Sequence, residues 1–108
     1  MNWREAEKLA TDHLKRKGYR ILERNYKTPY GEIDIIAMKG KVLVFVEVKS
    51  GSGKRIKPLD RIDRKKIKRM LATAQYFILS KNFSFKRVRF DVIEVTPSGI
   101  THIEEVNF

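Results

Sequence analysis

The chain has 108 residues, 42% of them hydrophobic and none of them cysteine, so we expect one folded domain over residues 1–108 and exclude disulfides and thiolate metal sites. No apolar run approaches the ~18 residues of a membrane helix, and the first residues show no signal-peptide pattern, so we expect a cytoplasmic protein without a membrane partner. Lysine and arginine number 24 against 13 acids, and the resulting charge of +11 points to a polyanionic partner, most often nucleic acid.

The first predicted element is a helix over residues 3–17. Asn2 suits its N-cap, and Gly18 suits the position that ends it. The buried stripe of this helix is predicted to contain Trp3, Ala6, Leu9, Ala10 and Leu14. Glu7 falls on or beside that stripe, where an acid needs either a functional site or a basic neighbour as its partner. His13 borders the same stripe and is expected to be a packed or surface residue and not a ligand.

A predicted strand over residues 19–27 leads into two apolar runs, residues 31–38 and 42–48, that flank a short turn. Such runs predict a β-hairpin. The turn consists of either residues 39–40 or residues 40–41. The first choice places Asp34 opposite Phe45, and the second places it opposite Glu47.

Four charged residues interrupt the hairpin: Glu32 and Asp34 on the first strand, Glu47 and Lys49 on the second. In either register Asp34, Glu47 and Lys49 share one face of the sheet, because side chains alternate along a strand. Two carboxylates roughly 4.5–8 Å apart can share a divalent cation. The alternative is an exposed face with a cross-strand lysine–glutamate pair.

A small, basic segment over residues 50–58 precedes a helix predicted for residues 59–80. The basic residues here have few acidic partners, which favours a nucleic-acid-binding surface over a solvated face: Lys54, Arg55, Lys57, Arg61, Arg64, Lys65 and Lys68. Lys66 lies at the margin of the helix's apolar face. Residues 87–95 predict an internal strand, and residues 100–106 predict an edge strand in which His102 is structural or exposed.

The order α-β-β-β-α-β-β implies an α/β fold with a central mixed five-stranded sheet flanked by helices. Asp34, twelve further residues and then Glu47-Val48-Lys49 resemble the PD-(D/E)xK signature of restriction endonuclease-like nucleases, although Ile33 stands where that signature has proline. Residues 18–22, 31–34, 43–49 and 89–92 resemble the YraN-like bacterial proteins, which are similar to archaeal Holliday junction resolvases.

This resemblance implies a restriction endonuclease-like fold and a Mg²⁺-dependent endonuclease that hydrolyses phosphodiester bonds of DNA, branched DNA by analogy with the resolvases. Mn²⁺ would substitute for Mg²⁺, and no small-molecule cofactor is expected. It also implies a homodimer, because two strands are cut. The catalytic set would be Asp34, Glu47 and Lys49. The metal ligands would be Glu7, Asp34, Glu47 and the carbonyl of Val48, with Glu32 and Lys66 as accessory residues.

Two other interpretations stay open, because a fold does not fix a function. A non-catalytic or partner-dependent nucleic-acid-binding module would keep the nuclease fold and bind without cutting. A basic structural protein of a ribonucleoprotein would prefer RNA over DNA, and the substitution Asp34→Ala would leave it unaffected.

Overall fold

We describe residues 2–51 and 64–106 of a computed structural model of the chain. The elements are α1 (Trp3–Arg16), β1 (Arg20–Thr28), β2 (Gly31–Lys39), β3 (Val42–Ser50), α2 (Arg64–Ser80), β4 (Arg87–Thr96) and β5 (Gly99–Ile103). This sequence of elements confirms the predicted order α-β-β-β-α-β-β. The predicted start of the second helix, residues 59–63, lies outside the described residues.

The five strands form one sheet in the order β1-β2-β3-β4-β5. The pairs β1–β2, β2–β3 and β4–β5 are antiparallel, whereas β3 and β4 run parallel. Parallel neighbours need a long crossover, which here contains α2. The sheet is therefore mixed, as predicted, and β4 is internal while β5 is an edge strand.

The ends of α1 have the predicted caps. The side chain of Asn2 accepts a hydrogen bond from the Glu5 amide at 2.8 Å. Gly18 has a φ of 89°, and the amides of Gly18 and Tyr19 donate to the carbonyls of Lys15 and Leu14, which is a Schellman ending. These caps fix where the helix begins and ends relative to β1.

The predicted buried stripe of α1 is partly wrong. Trp3 and Leu9 are 43% and 39% exposed, whereas Glu7 and Thr11 are buried beside three apolar residues, Ala6, Ala10 and Leu14. The helix is rotated so that its buried face includes two polar positions. Thr11 satisfies its hydroxyl by donating to the Glu7 carbonyl at 2.8 Å. Glu7 finds its partners on β1.

The sheet separates two apolar layers. One contains the buried face of α1 with alternate residues of the inner strands, among them Ile35, Val44, Val46 and Ile93. The other contains Ala74 and Phe77 of α2 with Ile36 and Phe45. Ring contacts join Phe77 to Phe45 and to Tyr26, with centroids 6.0 Å and 5.3 Å apart. None of the helices in the described parts of the chain is long and apolar enough to cross a membrane.

The last strand is shorter than predicted. It ends at Ile103 and not at Val106. Glu105 takes a φ of 55°, and its amide donates to the Asp91 carboxylate at 3.0 Å. The Val106 amide then returns to the Phe90 carbonyl at 2.7 Å. The Asp91 side chain thus accepts the hydrogen bond that a strand backbone would otherwise accept, and the chain leaves the sheet after Ile103.

Substitution of Phe77 tests the α2 layer. Phe77 is 1% exposed, so Phe77→Ala should lower the free energy of unfolding by about 3–5 kcal/mol through lost burial and a cavity. Leu79 on the same helix is 78% exposed, and Leu79→Ala should change it by less than about 0.5 kcal/mol. Urea unfolding followed by circular dichroism measures both. Equal losses for the two variants would contradict this packing.

Candidate metal and nucleic-acid site

The hairpin register brings the predicted acids together. Lys39 pairs with Val42 and Ile35 pairs with Val46, so residues 40–41 form the turn. Continuing this register places Asp34 opposite Glu47, the second of the two predicted arrangements. Both acids lie two residues beyond the pair Ile36–Phe45, on the face that packs against α2.

Asp34 is 6% exposed, and its Oδ2 accepts a hydrogen bond from the Val48 amide at 2.7 Å. Burial and the neighbouring charge of Glu47 raise the pKa of Asp34 to about 7, although the Val48 amide acts in the opposite direction. Two carboxylates in one buried place repel each other unless a proton or a cation lies between them. A proton or a cation between the two carboxylates would therefore stabilise this arrangement.

Glu47 is 3% exposed and receives two lysines on one oxygen. Lys49 Nζ lies 3.1 Å from Glu47 Oε1, and Lys66 Nζ of α2 lies 2.9 Å from the same atom. Burial opposes the charge of Lys66, but its hydrogen bond to Glu47 and the negative charges of Glu47, Asp34 and Glu32 together outweigh burial, so the pKa of Lys66 is raised. Lys66, predicted as an accessory residue, thus contacts Glu47, one of the three residues that the resemblance implies to be catalytic.

Val48 contributes backbone groups to the same place. Its amide points toward β2, where Asp34 accepts its hydrogen. The amide and carbonyl of one strand residue point to the same side of the strand, so the Val48 carbonyl also faces β2. That direction is the one required of the backbone ligand predicted at this position.

The structure does not group Glu7 with Asp34 and Glu47. Its Oε1 accepts from Arg24 Nε and from Asn25 Nδ2, each at 3.1 Å, and Arg24 Nη2 lies 2.9 Å from the same oxygen. Asn25 has a φ of 52° and lies between the ladder pairs that bracket Asp34 on β2. Within residues 2–51 and 64–106, no three His, Cys, Asp or Glu side chains converge to hold a metal ion.

The roles of Arg24 and Asn25 were not predicted from the sequence. Asn25 adopts a left-handed backbone conformation, which places its side-chain amide beside Arg24 on the same Glu7 oxygen. The one signal was the Asn in a run otherwise typical of a strand, because Asn tolerates positive φ better than other residues with a side chain.

The predicted peripheral residues fall into two groups. Glu32 is exposed and lines a cavity of about 220 Å³ with Lys66, Arg69, Gly31 and Met70. Arg64, Lys65 and Lys68 are exposed on α2, as a phosphate-facing surface requires. The other predicted nucleic-acid contacts, Lys54, Arg55, Lys57 and Arg61, lie outside the described residues.

A second buried polar cluster was not predicted. Asp91 accepts two hydrogen bonds of 2.9 Å from Arg89, and His102 Nε2 lies 2.8 Å from its Oδ2. His13 Nε2 lies 3.2 Å from the other ring nitrogen of His102. Burial opposes the charge of Asp91, but the hydrogen bonds from His102, Arg89 and the Glu105 amide, with the charge of Arg89, together outweigh it and lower the pKa of Asp91. The alternation Arg89-Phe90-Asp91 was the available signal for a same-face ion pair.

The raised pKa of Asp34 predicts a pH-dependent stability in metal-free protein. Between its ordinary value of 3.8 and about 7, the folded chain holds a proton that the unfolded chain has lost. Stability should therefore fall as pH rises through this window, by at most about 1.4 kcal/mol per pH unit from this group. Asp34→Asn keeps an oxygen for the Val48 amide and should remove that component.

Urea unfolding in EDTA across this pH range compares the two proteins. Asp34→Asn should be the more stable above neutrality, with the difference shrinking toward acid. Asp12→Asn is the matched control, because Asp12 lies in an exposed pair with Lys8 at 3.0 Å. A pH profile of Asp34→Asn that parallels the wild type would show that Asp34 is charged throughout.

Comparisons with known proteins assign the family. The family model described as "Uncharacterised protein family UPF0102" matches residues 6–95. A UPF0102 protein of Thermotoga neapolitana is 59% identical over 104 residues, which cover 96% of this chain and 95% of that protein. Those of Thermotoga maritima and Persephonella marina are 53% and 43% identical and cover 98% and 94% of this chain, and 96% and 88% of their own lengths. The chain therefore belongs to the UPF0102 family, in agreement with its resemblance to the YraN-like proteins.

Proposed function

We propose that the protein is a cytoplasmic, Mg²⁺-dependent endonuclease of the restriction endonuclease-like superfamily that hydrolyses phosphodiester bonds of DNA. The observation that carries this proposal is the buried pair Asp34–Glu47, with Lys49 and Lys66 on one Glu47 oxygen. Desolvated acids of this kind are costly to a fold and are concentrated at functional sites.

The donor set fits a hard divalent cation. Mg²⁺ is usually held by one or two carboxylates and keeps several waters or substrate phosphate oxygens as its other ligands. Asp34 and Glu47 supply the carboxylates, and the direction of the Val48 carbonyl supports it as a backbone ligand. A bound Mg²⁺ would polarise the phosphate and lower the pKa of a coordinated water. Mn²⁺ prefers the same oxygen ligands and should substitute.

The two lysines have separate tasks in this proposal. Lys49 has only 19% of its side chain exposed and lies on the strand that carries Glu47, so its ammonium stays beside the reacting phosphate, where it orients the attacking water or stabilises the charge of the pentavalent state. Lys66 approaches from α2 and is 33% exposed, which leaves it open to substrate. It holds Glu47 in place and offers a second cation to the phosphate oxygens.

The exposed basic residues at the start of α2 favour a polyanionic substrate. Arg64, Lys65 and Lys68 lie on the helix that also delivers Lys66 to the acidic pair. A phosphate backbone that follows this helix would therefore pass the proposed metal site. The preference for DNA, for branched DNA, and for a homodimer rests on the resemblance to junction resolvases.

A nucleic-acid-binding module without catalysis is the second candidate. It is favoured by the state of Glu47, whose charge the two lysines already compensate without a metal ion. It is also favoured by Glu7, which Arg24 and Asn25 hold apart from the pair. Both candidates predict binding that weakens steeply with salt through counterion release, so only cleavage separates them.

Cleavage assays on a labelled four-way junction, linear duplex, single-stranded DNA and RNA test the proposal. We expect cleavage in Mg²⁺ or Mn²⁺ and none in EDTA. Asp34→Asn and Lys49→Ala should each lower the cleavage rate roughly 10²–10⁴-fold, because each removes a group that acts on the reacting phosphate or water. Fluorescence anisotropy should show that both variants still bind.

Asp12→Asn provides the matched control, because it removes one aspartate on the far side of α1 and should leave cleavage unchanged. Binding of DNA without cleavage in any metal would favour the module. A preference for RNA with no effect of Asp34→Asn on any property would favour a ribonucleoprotein component and reject both.

A further inference from the structure

A cavity lies where the first turns of α1 meet β1, separate from the acidic pair. Its volume is about 390 Å³, within the range of small-molecule sites, which is roughly 300–1,000 Å³. It is lined by Trp3, Arg4, Glu7, Lys8, Arg24 and Asn25. An indole, three cations, a carboxylate and an amide therefore surround one space.

Glu7 gives this cavity an unmet hydrogen-bonding demand. The residue is 1% exposed, and its Oε1 is occupied by Arg24 and Asn25, both of which also line the cavity. Its Oε2 is buried and has no partner among the described residues. A buried acceptor without a donor destabilises the folded protein, so a ligand that brings a donor is favoured here.

The other walls indicate the class of that ligand. Three positive side chains against one carboxylate disfavour a metal cation. Arg4 forms no salt bridge within the described parts of the chain and is available to a phosphate. Trp3 is 43% exposed although it belongs to a helix with a packed face, so its ring can stack on a planar group. A phosphate, a planar ring and a hydrogen-bond donor together describe a nucleotide.

We infer that this cavity binds one unstacked nucleobase that carries an exocyclic amino group, such as cytosine, with the amine donating to Glu7 Oε2. The base stacks on Trp3, as bases do on aromatic side chains of single-strand-binding proteins. Arg4 and Lys8 contact the adjoining phosphate. Carboxylates accept from the cytosine amine in the same way in DNA grooves. The walls that a ligand meets are not deeply packed, since Trp3 is 43% exposed and the Arg24 side chain 49% exposed, while Arg24 keeps its contact with Glu7 Oε1.

This inference rests on nucleic acid as the partner, and it adds a preference for substrates with unpaired bases. It does not rest on catalysis. Single-stranded DNA and single-stranded segments of branched DNA offer such bases at no unpairing cost, whereas a base in a duplex must first be unstacked. The pocket would thus select structure and base together, on the side of the sheet away from the acidic pair.

Trp3 is the single tryptophan of the chain, so intrinsic fluorescence reports on the cavity directly. The probes are single-stranded oligonucleotides of deoxycytidine and of deoxyuridine, each about ten nucleotides long, with EDTA present. They match in length, charge and ring size and differ in an amine against a carbonyl. We expect saturable quenching with deoxycytidine at an affinity roughly 5- to 150-fold higher than with deoxyuridine.

Glu7→Gln gives a sharper result than deletion would. Arg24 and Asn25 both donate to the Oε1 position, so the glutamine carbonyl must stay there and the amide NH₂ must take the place of Oε2. The acceptor becomes a donor, and the preference should move from deoxycytidine to deoxyuridine. Glu104→Gln is the control: Glu104 pairs with Arg89 at 3.2 Å, far from this cavity in the fold, and the preference should persist.

Equal affinities for the two oligonucleotides, or an unchanged preference in Glu7→Gln with a native circular dichroism spectrum, would overturn the pocket. Anisotropy on labelled oligonucleotides separates this failure from failure of the proposed function. Binding without a change in tryptophan fluorescence rejects the pocket alone, while quenching without cleavage in metal rejects the nuclease and keeps the pocket.

Discussion

Two carboxylates buried side by side are the constraint to which the rest of the structure responds. Asp34 and Glu47 meet because residues 40–41 form the turn of the hairpin and because each acid lies next to one residue of the apolar pair Ile35–Val46. Three groups reduce the repulsion between the two acids: the Val48 amide, Lys49 of β3 and Lys66 of α2. The parallel crossover between β3 and β4 places α2 over one face of the sheet, and Lys66 of α2 thereby reaches Glu47. Burial and the charge of Glu47 still raise the pKa of Asp34, so a proton or a cation at this point is favoured.

The two faces of the sheet have different roles in the proposed function. The α2 face holds the acids, the lysines and the exposed basic side chains that suit a phosphate backbone. The α1 face holds Glu7 with Arg24 and Asn25, and beyond them the aromatic and cationic walls of the cavity. Asn25 connects the two, because it binds Glu7 and occupies the position opposite Asp34. A nucleic-acid strand that followed α2 past the acidic pair would leave the cavity on the α1 face available to bind an unpaired base.

Much of the fold and of the acidic site could be predicted from the sequence, because local rules determine them. Strand alternation placed Asp34, Glu47 and Lys49 on one face, and the glycine after α1 marked its end. The sequence left the hairpin register open, since glycine-containing turns one residue apart fit the pattern equally. It also misplaced Trp3 and Leu9, because the rotation of α1 depends on the burial of Glu7 against β1, a contact between distant residues. The cluster around Asp91 was missed for the same reason: His13 and His102 meet only in three dimensions.

The proposed nuclease requires that Asp34 and Glu47 together hold one divalent cation. The most direct measurement is a crystal structure of the protein soaked in Mn²⁺, with anomalous scattering used to locate the ion. We expect an ion bound by both carboxylates, with the Val48 carbonyl as a further ligand and Lys66 withdrawn from Glu47, and no ion in Asp34→Asn. Mn²⁺ bound elsewhere, or a wild-type site in which both lysines keep their contacts to Glu47 at saturating metal, would contradict it.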